Sequence, residues 1–250
     1  MFDWITVIVV LGTFFLAGTV KGVIGLGLPP VSLGLLTVAL DLQTAMALLV
    51  VPAFVTNLWQ SVVGGNAKVI FHRLWLFLVM ATVTVWIGVA ALKRLNPSLL
   101  TALLGALLVT YALVSLVGIR LTIQARYERW AGPLIGAVSG ALTGMTGTAV
   151  VPGVMFLQAI GLPRDVLVQA MGILFAATAL ALAVALQQAG VLTVDHGILS
   201  SVAVLPAIAG MIGGQWIRKG IAEQRFRTVF FIALLVLGAY IIANAVRVLR

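Results

Sequence analysis

The stretch KGVIGLGLPPV, residues 21–31, puts a lysine, three glycines and two prolines inside an apolar segment. Glycine and proline weaken or interrupt helices, and a lysine is costly within hydrocarbon. The apolar segment around it, residues 4–40, is too long for one straight helix across a bilayer core of about 30 Å. The sequence therefore predicts a broken membrane segment, and the geometry of that break decides the fold.

The composition predicts a polytopic membrane protein. Of 250 residues, 62% are hydrophobic and 8% are charged, whereas soluble domains carry about a quarter charged residues. Apolar segments of membrane-spanning length predict six full spans. These segments are residues 43–64, 74–92, 99–119, 166–188, 197–217 and 226–246. A second long, broken segment covers residues 130–162.

The two broken segments resemble each other. At an offset of 122 residues, GTVKGVIGLGLPP lies over GALTGMTGTAVVP, which pairs Gly18 with Gly140, Gly22 with Gly144, Gly25 with Gly147 and Pro30 with Pro152. Such self-similarity indicates a duplication. We predict a first repeat over residues 1–119, a linker over residues 120–129 and a second repeat over residues 130–250.

The distribution of basic residues favours inverted repeats. If each broken segment crosses once, the repeats are parallel and the basic residues divide seven against seven. If each segment turns back at its glycines, the repeats are inverted and ten basic residues face four. The ten are Lys68, Arg73, Arg120, Arg126, Arg129, Arg164, Arg218, Lys219, Arg225 and Arg227, and the four are Lys93, Arg94, Arg247 and Arg250.

The positive-inside rule favours the asymmetric arrangement. We therefore predict an all-α polytopic membrane protein built from two inverted repeats. Each repeat has three full spans plus a glycine-broken re-entrant hairpin or short helix pair, which gives 8 to 10 membrane helices. Both termini would lie outside the cytoplasm. Inverted repeats with matching Gly/Pro breaks are a recurring design of secondary transporters.

The broken segments are candidate anion sites. Helices that start near residues 29–30 and 151–152 would present backbone N–H groups and the positive end of the helix dipole. Nearby polar side chains are neutral or positive, so the chemistry suits an anion and not a metal ion. The candidate substrate-binding residues are Lys21, Gly22, Gly25, Gly27, Ser32, Asn57, Thr143, Gly144, Thr146, Gly147, Thr148 and Gln169. No metal site and no cofactor is predicted.

Each candidate also has a purely structural interpretation. The glycines suit close packing of helices, and Asn57 and Gln169 suit hydrogen bonds between helices. Lys21 could extend its side chain to a headgroup instead of contacting substrate. Recurrence of the glycines in both repeats favours a site, and the two interpretations of Lys21 stay open.

The chain resembles the sulfite exporter TauE/SafE family, also called the toluene-sulfonate uptake permeases. The resemblance rests on GTVKGVIGLG, SGALTGMTGTAVVPG and GLPRDVLVQAMG and covers essentially the whole chain. It implies a bacterial inner-membrane carrier of sulfur-containing anions such as sulfite, thiosulfate or sulfonates. The family's glycine positions carry over to Gly22, Gly25, Gly144 and Gly147.

The sequence leaves three classes of function to compare: a carrier, a channel and an enzyme. The first is a secondary carrier that alternately exposes a site between the repeats, with a sulfur anion or another organic anion as substrate. The second is an anion channel for the same substrates. An enzyme is disfavoured because the HExxH and GxSxG patterns are absent. The expected partners are a small anion and the lipid bilayer, with a possible homodimer and no nucleic acid.

The positions of the carboxylates indicate whether transport could be coupled to proton movement through the membrane. Asp3, Asp41, Glu128, Asp165, Asp195 and Glu223 all fall at predicted helix ends or loops. An intramembrane carboxylate relay for protons is therefore not predicted.

Overall fold

The computed structural model describes residues 2–119, 121–220 and 222–249, without the side chain of Glu223. Three predictions therefore fall outside the described residues. They are the placement of Arg120 and Arg250 on opposite sides of the membrane and that of the Glu223 carboxylate at a helix end or loop. All regular structure in the described part is helical. The elements are α1 (Trp4–Ile24), α2 (Leu28–Ala39), α3 (Leu42–Val62), α4 (Ala67–Val83), α5 (Val85–Arg94), α6 (Pro97–Val117), α7 (Ala125–Thr146), a wide π-type turn (Val150–Val154), α8 (Met155–Ala159), α9 (Arg164–Gln188), α10 (Val194–Gly220) and α11 (Glu223–Leu249).

The prediction of a polytopic all-α membrane protein is confirmed. By length and composition, seven helical stretches of the described chain can cross a membrane. Six coincide with the predicted spans, with α4 and α5 forming one stretch, Ala67–Arg94. The seventh is α1, which begins the first broken segment.

Local signals fix where the helices begin and end. The carboxylate of Asp41 accepts a hydrogen bond from the backbone N–H of Thr44 at 2.9 Å and so caps α3. Asp3 caps α1 in the same way. At the other ends of α1 and α7, Gly25 and Gly147 adopt left-handed conformations, with φ of 84° and 80°. Glycine ends a helix in this conformation without the steric cost of a Cβ.

Both broken segments fold as a long helix followed by a short one. In the first, α1 ends at the Gly25 turn and the 12-residue α2 follows. In the second, α7 ends at Gly147, and the π-type turn leads into α8. Helix α7 begins at Ala125, so half of the segment predicted as a linker is helical.

The first and second halves of the chain are packed into each other. Helix α1 packs mainly against α10, and α7 packs against α4 and α5. Helices α3 and α9 pair in the centre, while α6 pairs with α11. Each of these four interfaces joins an element before residue 120 to one after it.

Lys68, Arg73 and Arg129 line a common pocket at one end of the bundle, and we call this end the basic end. There the guanidinium of Arg73 binds both carboxylate oxygens of Glu128, at 2.6 and 2.8 Å. It also donates to the backbone oxygen of Ile160 at 3.0 Å. These bonds tie α4 to the start of α7 and to the end of α8. The described carboxylates, including Glu128, all lie just before or in the first turn of a helix.

At the opposite end of the bundle, Asp41 and Pro97 line a common pocket with Asn244. The loop before α3 therefore meets the start of α6 and the last turns of α11.

Candidate functional site

A small cavity lies between α3 and α9. Its polar lining comes from Asn57 on α3, Thr143 and Gly147 at the end of α7, and Thr178 on α9. Pro29, at the start of α2, also lines it. The cavity measures about 20 Å³, which is room for about one water molecule. Both broken segments therefore contribute to one cavity.

Lys21 lies beside this cavity, inside the protein. Its side chain is buried, and Nζ donates one hydrogen bond to Asn57 Oδ1 and another to Thr56 Oγ1, the latter at 3.1 Å. Both partners belong to α3, which excludes the interpretation that Lys21 extends to a headgroup in this conformation. Asn57 thus connects the lysine to the cavity wall.

The two partners of Lys21 are oriented by α3 itself. The amide nitrogen of Asn57 donates to the backbone oxygen of Ala53 at 2.7 Å, which turns Oδ1 toward the lysine. The hydroxyl of Thr56 donates to the backbone oxygen of Pro52 at 2.8 Å and keeps its lone pairs for Nζ. An ammonium group has three N–H donors, so two are engaged and one is left for a ligand.

The glycine turns supply fewer backbone donors than the sequence suggests. The N–H of Gly25 donates to Lys21 O and the N–H of Gly147 donates to Thr143 O, both at 2.7 Å. These bonds end α1 and α7. Pro29 and Pro30 occupy the first turn of α2 and have no N–H to offer. In this conformation, Lys21 is a more direct source of positive charge than the turns.

The scan against family models decides the class of protein. The model described as "Sulfite exporter TauE/SafE" matches residues 10–241. The chain belongs to the sulfite exporter TauE/SafE family. Searches of curated proteins and of solved structures gave no match. Membership in this family makes the chain a membrane transporter of the sulfur-anion exporter class, and the family is one of transporters and not of enzymes.

Two of the four glycines assigned from the TauE/SafE resemblance lie at helix contacts. A Cβ on Gly22 would come within 2.2 Å of Met211 O on α10, and a Cβ on Gly144 within 2.2 Å of Val85 O on α5. These glycines let backbones approach closely, as small residues do in membrane helix pairs. Gly25 and Gly147 are the turn glycines, and Gly147 alone of the four lines the cavity.

The predicted hydroxyl groups are buried and engaged locally. The hydroxyls of Thr143, Thr146 and Ser32 donate to backbone oxygens of their own helices, each at 2.7 Å. Thr148 Oγ1 accepts from the N–H of Val150 at 3.4 Å. Of these side chains, Thr143 lines the cavity.

Gln169 and Gly27 lie outside the cavity lining. The amide of Gln169 donates to Ser61 O and accepts from the N–H of Asn66, both at 2.8 Å. It therefore joins the start of α9 to the end of α3, near the basic end. Gly27 has a φ of 115° and precedes α2, with Val20 and Phe230 closest to its Cβ position.

Sequence reasoning missed Thr178 and Thr56. Thr178 lies 122 residues after Thr56, which is the offset that aligns the glycine turns. Its hydroxyl donates to Leu174 O at 2.8 Å, as that of Thr56 does to Pro52 O. The repeat offset could have identified this pair. Among the described residues, no group of three His, Asp or Glu side chains could hold a metal ion.

Sequence reasoning also missed Ser200, which repairs a break in α3. Pro52 lies inside α3 and has no N–H for the oxygen of Leu48, four residues earlier. The buried hydroxyl of Ser200 on α10 donates to Leu48 O at 2.7 Å and accepts from the N–H of Val51 at 3.2 Å. A side chain from the second half thus completes the backbone bonding of α3 beside the cavity.

Ser200→Ala is therefore expected to lower stability by about 1–2 kcal/mol, because it leaves a buried carbonyl oxygen without a donor. For a protein of this size, that corresponds to a fall of roughly 2–8 °C in melting temperature, measured in detergent. Ser201→Ala is the matched control. Ser201 is exposed and bonds within its own helix, to Gly197 O. Equal shifts for the two variants would contradict the role given to Ser200.

Proposed function

We propose that the protein is a secondary carrier of small sulfur oxyanions or organosulfonates, and that the cavity between α3 and α9 is its binding site. The observation that carries the proposal is the buried Lys21, hydrogen-bonded to Asn57 on the wall of that cavity. A buried cation is expensive unless something compensates it. Its two partners are uncharged, so an arriving anion supplies the missing charge.

The cavity geometry favours a carrier over a channel. The cavity holds about one water molecule, so a sulfur oxyanion fits only after α2, α7 or α9 moves. Alternate opening toward the two ends of the bundle would expose the same residues to each side. A channel would require a continuous polar passage.

The transport proposal is tested by counterflow in proteoliposomes. Labelled sulfite, thiosulfate or methanesulfonate is added outside vesicles that contain an excess of the same unlabelled anion. A carrier accumulates label transiently, because the unlabelled anion drives exchange. Uptake that is fast but is not stimulated by internal anion would identify a channel, and the absence of uptake of every sulfur anion would contradict the proposal.

Inverted repeats, with boundaries at residues 1–119 and 130–250, remain our proposal for the architecture. The packing supports it, because the first helix of each half packs against the other half: α1 contacts α10, and α7 contacts α4 and α5. At the repeat offset, α1 corresponds to α7, and α4 together with α5 corresponds to α10. The contact between Gly22 and Met211 follows that between Gly18 and Ala207, so α1 and α10 run in the same direction.

An inverted pair places both termini on one side, which we propose is the periplasmic side of a bacterial inner membrane. The basic end of the bundle would then face the cytoplasm. A reporter enzyme that works only in the periplasm is expected to be active when it is fused at either terminus. Inactive fusions at both termini would contradict the periplasmic placement, and termini on opposite sides would contradict the inverted arrangement. Whether the protein forms a homodimer stays a prediction, which the mass of the detergent complex would test.

A further inference from the structure

The charge beside the cavity comes from one residue. Helix α1 carries Lys21 as its one ionisable side chain, and α2 and α3 carry none. On α7 and α9, the charged residues lie in the first turns, as Arg126, Glu128, Arg129, Arg164 and Asp165. No ionisable side chain lines the cavity.

The other helices that pack against α1 bring no second charge to this level of the bundle. Helix α10 has Asp195 and His196 in its first turn and Arg218 and Lys219 in its last. Helix α11 has Arg225 and Arg227 near its start and Arg247 in its last turn, with Tyr240 exposed between them. The described side chains thus leave one positive charge for the cavity.

Helix ends near the cavity contribute partial charges but no formal charge. The caps at Gly25 and Gly147 use the N–H groups of both turn glycines, and two prolines occupy the first turn of α2. The donors that remain near the cavity are dipoles, which lower the energy of an anion without cancelling its charge. When the site closes around a substrate, the net charge of the site is therefore the sum of the charges of Lys21 and the substrate.

We propose that the site selects singly charged anions, such as bisulfite and sulfonates, over dianions such as sulfate, thiosulfate and sulfite. This inference rests on the proposed transport function. A carrier must close over its substrate, and closing excludes the water that screens charge. A monoanion with the Lys21 ammonium gives a neutral pair, whereas a dianion leaves one uncompensated charge in a medium of low dielectric constant.

The geometry around Lys21 accommodates this pairing. Two N–H groups of its ammonium stay on Asn57 and Thr56, which hold the charge in place. The third is available to one oxygen of the anion. Thr143 and Thr178 on the opposite wall can donate to the remaining oxygens once their hydroxyls rotate.

The experiment compares counterflow of methanesulfonate, thiosulfate, sulfate and sulfite at several pH values across the neutral range. Methanesulfonate is expected to exchange at least about tenfold faster than thiosulfate or sulfate. Sulfite exchange should fall as pH rises and bisulfite loses its proton. Methanesulfonate keeps its charge over this range, so any change in its exchange with pH reports titration of the protein. The ratio of the two separates substrate protonation from any titration of the protein.

Substitutions of Lys21 complete the test. Lys21→Gln removes the charge and is expected to slow methanesulfonate exchange by about a hundredfold, whereas Lys21→Arg keeps the charge and should keep the preference for monoanions. Equal exchange of thiosulfate and methanesulfonate by the wild-type protein would overturn the inference but leave the transport function standing. Exchange of none of the four anions would overturn both.

Discussion

Asn57→Asp is expected to abolish anion transport in a protein that still folds. The aspartate would lie against Lys21 Nζ, where Asn57 Oδ1 accepts a hydrogen bond, and would form a buried ion pair with it. The positive charge offered to the substrate is then cancelled by a fixed carboxylate on the cavity wall. We expect counterflow to fall by about a hundredfold or more. The new charged partner of Lys21 offsets the loss of the hydrogen bond from the Asn57 amide to Ala53 O, so the protein should still unfold cooperatively in detergent.

The matched control for this variant is Asn96→Asp. Asn96 caps α6 because its Oδ1 accepts a hydrogen bond from the N–H of Ser98. It is not part of the cavity lining. The same chemical change there should leave counterflow intact. Transport that survives Asn57→Asp at the wild-type rate would show that the lysine charge does not act on the substrate.

Gly214→Ala is expected to have the largest effect on stability. A Cβ at Gly214 would lie 2.2 Å from Thr19 O on α1, and this backbone oxygen cannot rotate away. Helices α1 and α10 would have to separate along a contact that also includes Gly18 and Gly22. Overpacking of this kind costs about 3 kcal/mol or more when the surroundings are rigid, which thermal unfolding in detergent would register.

The neighbouring residue provides the control. Gly213 is in the same helix, and a Cβ there meets nothing within 4 Å. Gly213→Ala should be neutral, or stabilising by roughly 0.5–1 kcal/mol through its better helix propensity. If the two substitutions lowered the melting temperature equally, the close approach of α1 and α10 would be refuted.

The positions of six long helical stretches could be predicted from hydropathy alone, because a membrane-spanning helix must be apolar over about twenty residues. The long helices α1 and α7 were hidden in the broken segments. The break between α4 and α5 could not be predicted. There Thr84, which lies between the helices, donates from its hydroxyl to Ala137 O on α7 at 2.8 Å. That contact depends on a helix that follows far along the chain.

The candidate site was predictable in chemistry but only partly in geometry. The sequence indicated Lys21, Asn57 and Thr143 as polar groups of an anion site, and the fold brings all three to or beside one cavity. It could not indicate that Asn57 is the residue bound to Lys21, since 36 positions separate them. Nor could it separate the packing glycine Gly22 from the turn glycine Gly25, because a helix surface alone does not reveal its neighbour.

The packing of α1 against α10, which comes late in the chain, has a consequence for how the protein is inserted into the membrane. Helix α1 leaves the ribosome early, yet its Gly18 and Gly22 fit against Ala207 and Met211 of α10, which is synthesised near the end. Until then the buried face of α1 must be covered by lipid or by the insertion machinery. Both partners of the hydrogen bond between Lys21 and Asn57 are present once α3 is inserted, so this bond is available to hold α1 against α3 before the second half is translated.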